Sequence, residues 1–404
     1  MRLHRNLVFT VIDSLMAIFN EGAYADKMVA QALKKDKRWG SHDRKFVAET
    51  IYEIVRWKRL YTEIAEVKDP FTRDDIWRIF AVWAVLRGIK LPDWKYFEAT
   101  PTRKIKGRFD ELTKIRKFKE AIPDWIDELG LKELGLEVWE KELTAQNEQA
   151  KVILRVNTLK TTKEKVRAIL MDNNIETELI KDQPDALVLK ERANVFMIPA
   201  FKEGFYEVQD ASSQLVAYYL DVKPGMRVVD TCAGAGGKTL HLASLMENKG
   251  QLIAMDIYES KLKQLKIRAK RNGVFNAEFR VIDSTKVIKK LYDKADRVLI
   301  DAPCSGLGVL KRNPDSKWKL QPEFIENIKK VQEEVLHNYS RIVKPGGKMV
   351  YATCSILPSE NQEQVQKFLK TEEGQKFKLV KDQSVLAHQS GFDGFYMALM
   401  EKKI

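Results

Sequence analysis

Cysteine is scarce: only Cys232, Cys304 and Cys354 occur in 404 residues, all in the C-terminal half. No Cys-x-x-Cys pair exists, and His4, His42, His241, His337 and His388 are scattered singly, so a structural zinc site has no ligand set. No apolar run approaches the roughly 18 residues of a membrane span. The basic start at Arg2, His4 and Arg5 is followed by Asp13 and Glu21, which interrupt the apolar core that a secretory leader needs. Secretion, membrane insertion and a structural metal are therefore not expected. The protein reads as cytoplasmic, with reduced thiols.

What is present is ordinary for a soluble globular chain, with 44% hydrophobic and 31% charged residues. Lys and Arg number 70 against 57 Asp and Glu, a formal charge of +13 that favours a polyanionic partner, nucleic acid first. At about 150 residues per domain, the length suggests two or three domains.

Seven of the eight tryptophans fall between Trp39 and Trp139. In that region Leu7, Val11, Leu15 and Phe19 recur every four residues, as do Val47, Ile51 and Val55, and Asp75–Leu86 is also apolar-rich. A helical domain over residues 1–145 accounts for this pattern. Between Arg103 and Lys119 stand eight basic residues against Asp110 and Glu111, either a solvated face or an RNA contact. From Lys151 the texture changes to short strands at KVILRVN, Ile175–Ile180, Ala186–Leu189 and Gly204–Val208, with a helix at Lys163–Met171. This is a small α+β subdomain, 146–210.

Beyond Lys223-Pro224-Gly225, strands alternate with helices through RVVDTC, LIAMD, AEFRVID, RVLIDAP and KMVYATC, the last preceded by a Lys-Pro-Gly-Gly turn. That alternation predicts an open parallel sheet over 211–404, with ligands bound beyond the carboxyl ends of its strands. The unusual residues collect at those ends: Cys232 and the glycines, Asp256, Asp283, Asp301 with Cys304, and Cys354.

The first strand runs into Cys232, Ala233, Gly234, Ala235, Gly236, Gly237, Lys238 and Thr239. A P-loop would need glycine at position 232, and a dinucleotide loop would need glycine at position 239, so neither motif is met. The remaining reading is a loop for S-adenosylmethionine, in which Asp256 accepts from the ribose hydroxyls and Asp283 lies near the adenine. Asp256 would serve NAD equally well, or would simply cap the helix Tyr258–Lys270.

Asp301-Ala302-Pro303-Cys304 and Thr353-Cys354-Ser355 close the fourth and fifth strands, which should be neighbours and bring both thiols to one pocket. Cytosine C5 becomes nucleophilic once a thiolate adds to C6, and a base must then remove the C5 proton before the thiol can leave. Two cysteines and Asp301 fit that chemistry, without deciding which sulfur attacks.

The segments VQDASSQ, DTCAGAGGKT, DAPCSGLGVLKRNPDSKW, ATCSILPSEN and DGFYMALM make the chain resemble the Sun-type (RsmB-like) RNA cytosine-C5 methyltransferases. The resemblance implies a Rossmann-like class I S-adenosylmethionine-dependent methyltransferase domain, an RRM-like RNA-binding subdomain at 146–210 and a NusB-like helical domain at 1–145. It places the nucleophile at Cys354 and gives Cys304 the breakdown of the adduct, whereas methylases acting on DNA attack with the Pro-Cys thiol. It further implies that Lys238 and Asp301 hold the cytosine edge, that residues 232–238 with Asp256, Asp283 and Asp301 line the cofactor, and that Lys311 and Arg312 meet phosphate.

The expected activity is C5 methylation of 16S ribosomal RNA by a monomer. Transfer RNA or another ribosomal site is the alternative within the same chemistry. A non-catalytic RNA-binding protein would need a degraded pocket, and a nicotinamide oxidoreductase would leave the second cysteine without a use.

Overall fold

A computed structural model of the chain describes residues 3–404. The chain folds as two units. One runs through Asn147 and takes in Leu310–Leu320; the other comprises Glu148–Val309 and Gln321–Ile404.

The first unit is helical. The helix Arg5–Asn20 turns Leu7, Val8, Val11, Ile12, Leu15 and Ile18 inward, and Ser41–Arg56 does the same with Val47, Ile51, Ile54 and Val55. Arg73–Leu86 begins at a capping box, where Thr72 Oγ1 accepts from the Asp75 amide and the Asp75 carboxylate accepts from the Thr72 amide. The tryptophans that set this region apart are core: Trp77 stacks on Tyr96 at 4.2 Å and meets Phe9 and Phe97 edge-on.

Leu310–Leu320 is held in this unit by hydrogen bonds. Trp318 Nε1 donates to the Val55 carbonyl at 2.7 Å, Arg56 Nη2 to the Lys311 carbonyl at 2.8 Å, and the Ala25 amide to Asp315 at 3.1 Å. The expected domain 211–404 is therefore not continuous. Lys311, expected at phosphate, has a side chain only 4% exposed, which corrects that expectation. Lys317 is also buried, and its burial beside the Arg56 charge pushes the amine well below the usual lysine range. Most of the basic stretch is committed to carboxylates: Lys104 to Glu66, Arg108 to Glu63 and Glu66, Arg116 to Asp127 and Glu140, Lys117 to Asp124, and Lys119 to Glu120. That pairing favours the structural reading of the stretch.

The second unit opens with a small antiparallel sheet, β1 (Ile153–Val156), β2 (Thr177–Leu179), β3 (Ala186–Leu189) and β4 (Tyr206–Val208), in the order β2-β3-β1-β4. The helix Lys163–Asp172, capped by Thr162, joins β1 to β2, and the short helix Pro199–Lys202 precedes β4. This is the split-βαβ, ferredoxin-like arrangement.

The main sheet contains β5 (Arg227–Asp230), β6 (Gln251–Asp256), β7 (Ala277–Val281), β8 (Ala295–Asp301), β9 (Val343–Thr353), β10 (Phe377–Val385) and β11 (Phe395–Lys402), in the order β10-β11-β9-β8-β5-β6-β7. Strands β5 to β9 pair in parallel, and β11 is antiparallel to both β9 and β10. The fold is Rossmann-like, with its topological switch between β5 and β8. Three details depart from the sequence-based expectation. The sheet is mixed, because β11 inserts beside β9. Strand β7 is an edge strand and only half-buried. The Lys-Pro-Gly-Gly segment is no turn before β9 but a bulge within it, where pairing jumps from Ala295–Val343 to Arg297–Lys348.

Trp318→Ala should destabilise the helical unit by about 2–3 kcal/mol, below the full cost of a completely buried tryptophan. It should also make Leu310–Leu320 sensitive to protease. Chemical denaturation and limited proteolysis check this, and an unchanged cleavage pattern would contradict the anchoring role.

Candidate active site

The loop after β5 occupies the switch point. Gly234 and Gly236 take φ of +54° and +91°, a left-handed conformation that suits glycine. A Cβ on Gly236 would lie 1.9 Å from Leu265 Cδ1, whereas one on Gly234 would meet nothing within 4 Å. The loop thus packs tightly on one side and is open on the other. It leads into the helix Gly237–Leu245, whose first amides have no intrahelical acceptor and suit an anionic group.

Asp256, at the end of β6, accepts from the Gly234 amide and from the Tyr258 amide, each at 2.8 Å. It therefore braces the glycine loop and turns the chain toward the helix Glu259–Asn272, but it does not cap that helix, whose N-cap residue is Tyr258 and whose start has no side-chain cap. Each oxygen keeps a second lone pair, so hydroxyl donors could still be accepted. Asp283, just past β7, is exposed and accepts from Ser284 Oγ at 3.0 Å. Burial pushes the Cys232 thiol far up, and the charges of Asp230 and Asp301 add to the effect, so this sulfur stays neutral.

Strands β8 and β9 bring the other candidates together. Asp301 pairs with Ala352 across the two strands, and just past their ends Cys304 Sγ lies 3.2 Å from Cys354 Sγ. Lys238 Nζ donates to Asp301 Oδ2 at 2.8 Å and sits 5.0 Å from the centre of the Phe395 ring. Burial opposes the Lys238 charge, but the attraction and hydrogen bond of Asp301 outweigh it and raise the ammonium above the usual lysine range. The Cys304 thiol is held well above the ordinary cysteine range by its hydrogen bond with Cys354, then by burial and by the charges of Cys354 and Glu360. Two sulfurs this close oppose the ionisation of both at once.

Several contributors escape a motif-based reading. Glu360, fully buried, accepts from the Ser305 amide at 2.8 Å, Ser355 Oγ at 2.6 Å and Gln332 Nε2 at 3.0 Å. One carboxylate thereby ties the loop of Cys304 to the loop of Cys354. Its place in the Pro-Ser-Glu-Asn segment was visible, but two of its three partners lie 55 and 28 residues away. Gly308 admits the close approach of these loops, because a Cβ there would fall 2.3 Å from the Gly394 carbonyl and 2.8 Å from that of Cys354. Asp230, buried at the end of β5, accepts from Thr239 Oγ1 at 2.7 Å through Oδ2, while Oδ1 has no hydrogen-bond partner. Burial pushes its carboxyl up to about 7. Among the described residues no group of three His, Cys, Asp or Glu could hold a metal, and no helix is long and apolar enough to cross a membrane.

Residues 217–401 match the family model described as 16S rRNA methyltransferase RsmB/F, and residues 122–196 match that of an RsmF/B-like ferredoxin-like domain. Ribosomal RNA small subunit methyltransferase B of Vibrio vulnificus is 34% identical, over 70% of this chain and 67% of its own. The chain belongs to the RsmB/F methyltransferase family. A second member, the protein of Synechocystis sp. named "Probable ribosomal RNA small subunit methyltransferase B", is 29% identical over 98% of this chain and 99% of its own. The crystal structure of PH0851 is 28% identical, covers 100% of both chains and superposes with a TM-score of 0.85. The RsmB/F match begins within the helix Ala211–Tyr219 and ends in β11, so it spans both cysteine loops. The ferredoxin-like match starts at 122, inside the helical unit, earlier than the boundary expected at 146.

Two outcomes follow from the buried carboxyl groups. Glu360→Gln removes a charge that raises the Cys304 thiol, so alkylation of Cys304 by iodoacetamide should reach its half-maximal rate at lower pH, read by peptide mass spectrometry. Asp230 titrates near 3.9 when unfolded but about 7 when folded. A raised folded value gives stability that is present below about pH 4 and lost as pH rises through about 7. Asp230→Asn should therefore gain stability relative to the parent between pH 5 and pH 8 in urea denaturation, and a pH-independent difference would contradict the buried proton.

Proposed function

We propose that this protein is an S-adenosylmethionine-dependent RNA cytosine-C5 methyltransferase acting on 16S ribosomal RNA. The observation that carries the reading is the 3.2 Å approach of Cys304 and Cys354 beside the Lys238–Asp301 pair. A nicotinamide enzyme would have no use for the two thiols, and an inert RNA-binding protein would not need them. The names of the similar proteins support ribosomal RNA as the substrate class. The division into a helical domain at 1–145, an RRM-like subdomain at 146–210 and a catalytic domain at 211–404 is kept, with Leu310–Leu320 assigned to the helical domain.

The open side of Gly234 and the free amides at the start of the helix Gly237–Leu245 fit the amino-acid end of S-adenosylmethionine. Residues 232–238, Asp256, Asp283 and Asp301 would line it. When bound, the cofactor supplies an electrophilic methyl group. Lys238 and Asp301 hold the cytosine edge: the carboxylate can accept from the N4 amine, and the ammonium can donate to a ring acceptor.

Cys354 attacks as thiolate, forming a bond from Sγ to C6, and the C5=C6 electron pair makes C5 nucleophilic. After C5 has been methylated, its proton passes to a base, a role that falls to Cys304 in its thiolate form. The C5–H electrons then restore the double bond, and the C6–S bond breaks with its electrons returning to Cys354. Cys304 thereby assists this breakdown and the release of RNA: once the Cys354 sulfur is bound to carbon it no longer holds the Cys304 thiol up, and Cys304 can give its own proton to solvent before it takes that of C5. Glu360 holds both loops in register for these steps.

Cys354→Ala should abolish methylation and form no covalent complex, while cofactor binding survives. Cys304→Ala should still attack and methylate, then stall, accumulating a protein–RNA species that survives denaturing electrophoresis and reducing agent because its bond is a thioether. The opposite pattern would move the nucleophile to Cys304. Bisulfite sequencing of RNA from a strain lacking the gene reads the substrate, and a lost signal in transfer RNA in place of 16S ribosomal RNA would overturn that assignment.

A further inference from the structure

Two arginines reach the cofactor loop from elements outside the pocket chemistry. Arg155, in β1 of the small sheet, is fully buried, and its Nη1 donates to the Gly237 carbonyl and to the Gln209 side chain. Arg268 lies three residues after Leu265 on the helix Glu259–Asn272. Its Nη1 donates to the Ala235 carbonyl at 2.6 Å, and its Nη2 to Glu207 at 3.0 Å. Glu207, in β4, is itself buried and also accepts from Arg271 and Asn272. Arg155 and Glu207 are direct cross-strand partners in the pairing of β1 with β4. One carboxylate therefore lies beside one arginine and holds the other, and each arginine grips a carbonyl of the glycine loop.

The cost of this arrangement points to a use. Arg155 Nε and Nη2 have no hydrogen-bond partner although they are buried, and a buried donor left unpaired is expensive. An apolar side chain of similar volume would fill the space without that cost, but it could not fix the direction of a carbonyl. Peptide planarity makes the direction matter. With the Gly237 carbonyl turned to Arg155, the amide of Lys238 in the same trans peptide points the opposite way, as one of the unsatisfied donors at the helix start. A loop with glycines at 234, 236 and 237 has little stiffness of its own.

We propose that Arg155, Glu207 and Arg268 are positioning residues for the cofactor loop, so that the small ferredoxin-like sheet contributes directly to S-adenosylmethionine affinity. The inference rests on the cofactor reading given above and goes beyond it, by assigning the small sheet a task on the cofactor side of the reaction.

The test is calorimetric titration of the full chain with S-adenosylmethionine, for the parent, Arg155→Met, Arg155→Lys, Arg268→Met and Glu207→Gln, each checked by thermal melting. Kd should rise about tenfold or more in Arg155→Met and Arg268→Met, with partial recovery in Arg155→Lys, which can still donate to one carbonyl. At saturating cofactor, kcat and the KM for RNA should stay within about threefold of the parent. A role confined to stability would lower the melting temperature and leave Kd alone in the folded protein. Should Arg155→Met fail to fold, Arg268→Met, whose side chain is 26% exposed, and Arg155→Lys decide the matter. An unchanged Kd in those variants, or a raised KM for RNA without any effect on the cofactor, would overturn the inference alone. A parent protein that binds no S-adenosylmethionine would overturn the cofactor reading, and the inference with it.

Discussion

The parallel pairing of β8 with β9 is the contact on which the pocket depends. It places Asp301 opposite Ala352, and the two loops that follow carry thiols to within 3.2 Å although 50 residues separate them in the chain. Backbone pairing alone would leave those loops free to diverge. Glu360 prevents this by accepting from both of them and from Gln332 on the neighbouring helix, and Gly308 removes the side chain that would hold them apart. A buried carboxylate is tolerated here because several donors share its charge.

Charge in the pocket is distributed so that few groups change state. Lys238 and Asp301 stabilise one another as an ion pair. Cys232, near the carboxylates of Asp230 and Asp301, is kept neutral, while Asp230 itself titrates at about 7. Of the three cysteines, only the Cys304–Cys354 pair shares a hydrogen bond between sulfurs, and that bond together with burial holds the Cys304 thiol up.

The helices at Arg5–Asn20 and Ser41–Arg56 were legible because apolar residues repeat along one face of each, Arg73–Leu86 because it is mostly apolar, and the strand ends because glycines, acids and cysteines gather there. Other features were hidden for definite reasons. Lys344-Pro345-Gly346-Gly347 has the composition of a turn, yet it forms a bulge because the strand pairs with β8 on both sides of it, with the register shifted across it. Lys311 has the look of a phosphate contact, yet its segment is hydrogen-bonded into the helical unit and the side chain is buried. The charges of Arg103–Lys119 look like an RNA surface until their carboxylate partners, many of them distant in sequence, are placed.

By itself, the sequence determined the order of the five parallel strands, the glycine loop after the first of them, and the presence of two thiols and an aspartate at neighbouring strand ends. Periodicity and local turn chemistry suffice for such features, because they act over a few residues. Only the tertiary structure decided that Glu360 joins the two cysteine loops, that Arg155 and Arg268 grip the glycine loop and the helix start that follows it, and that Leu310–Leu320 belongs to the helical unit. The reason is physical. Each depends on a buried polar group finding partners far away in the chain, and such partners are specified by packing geometry, which no local pattern of residues records.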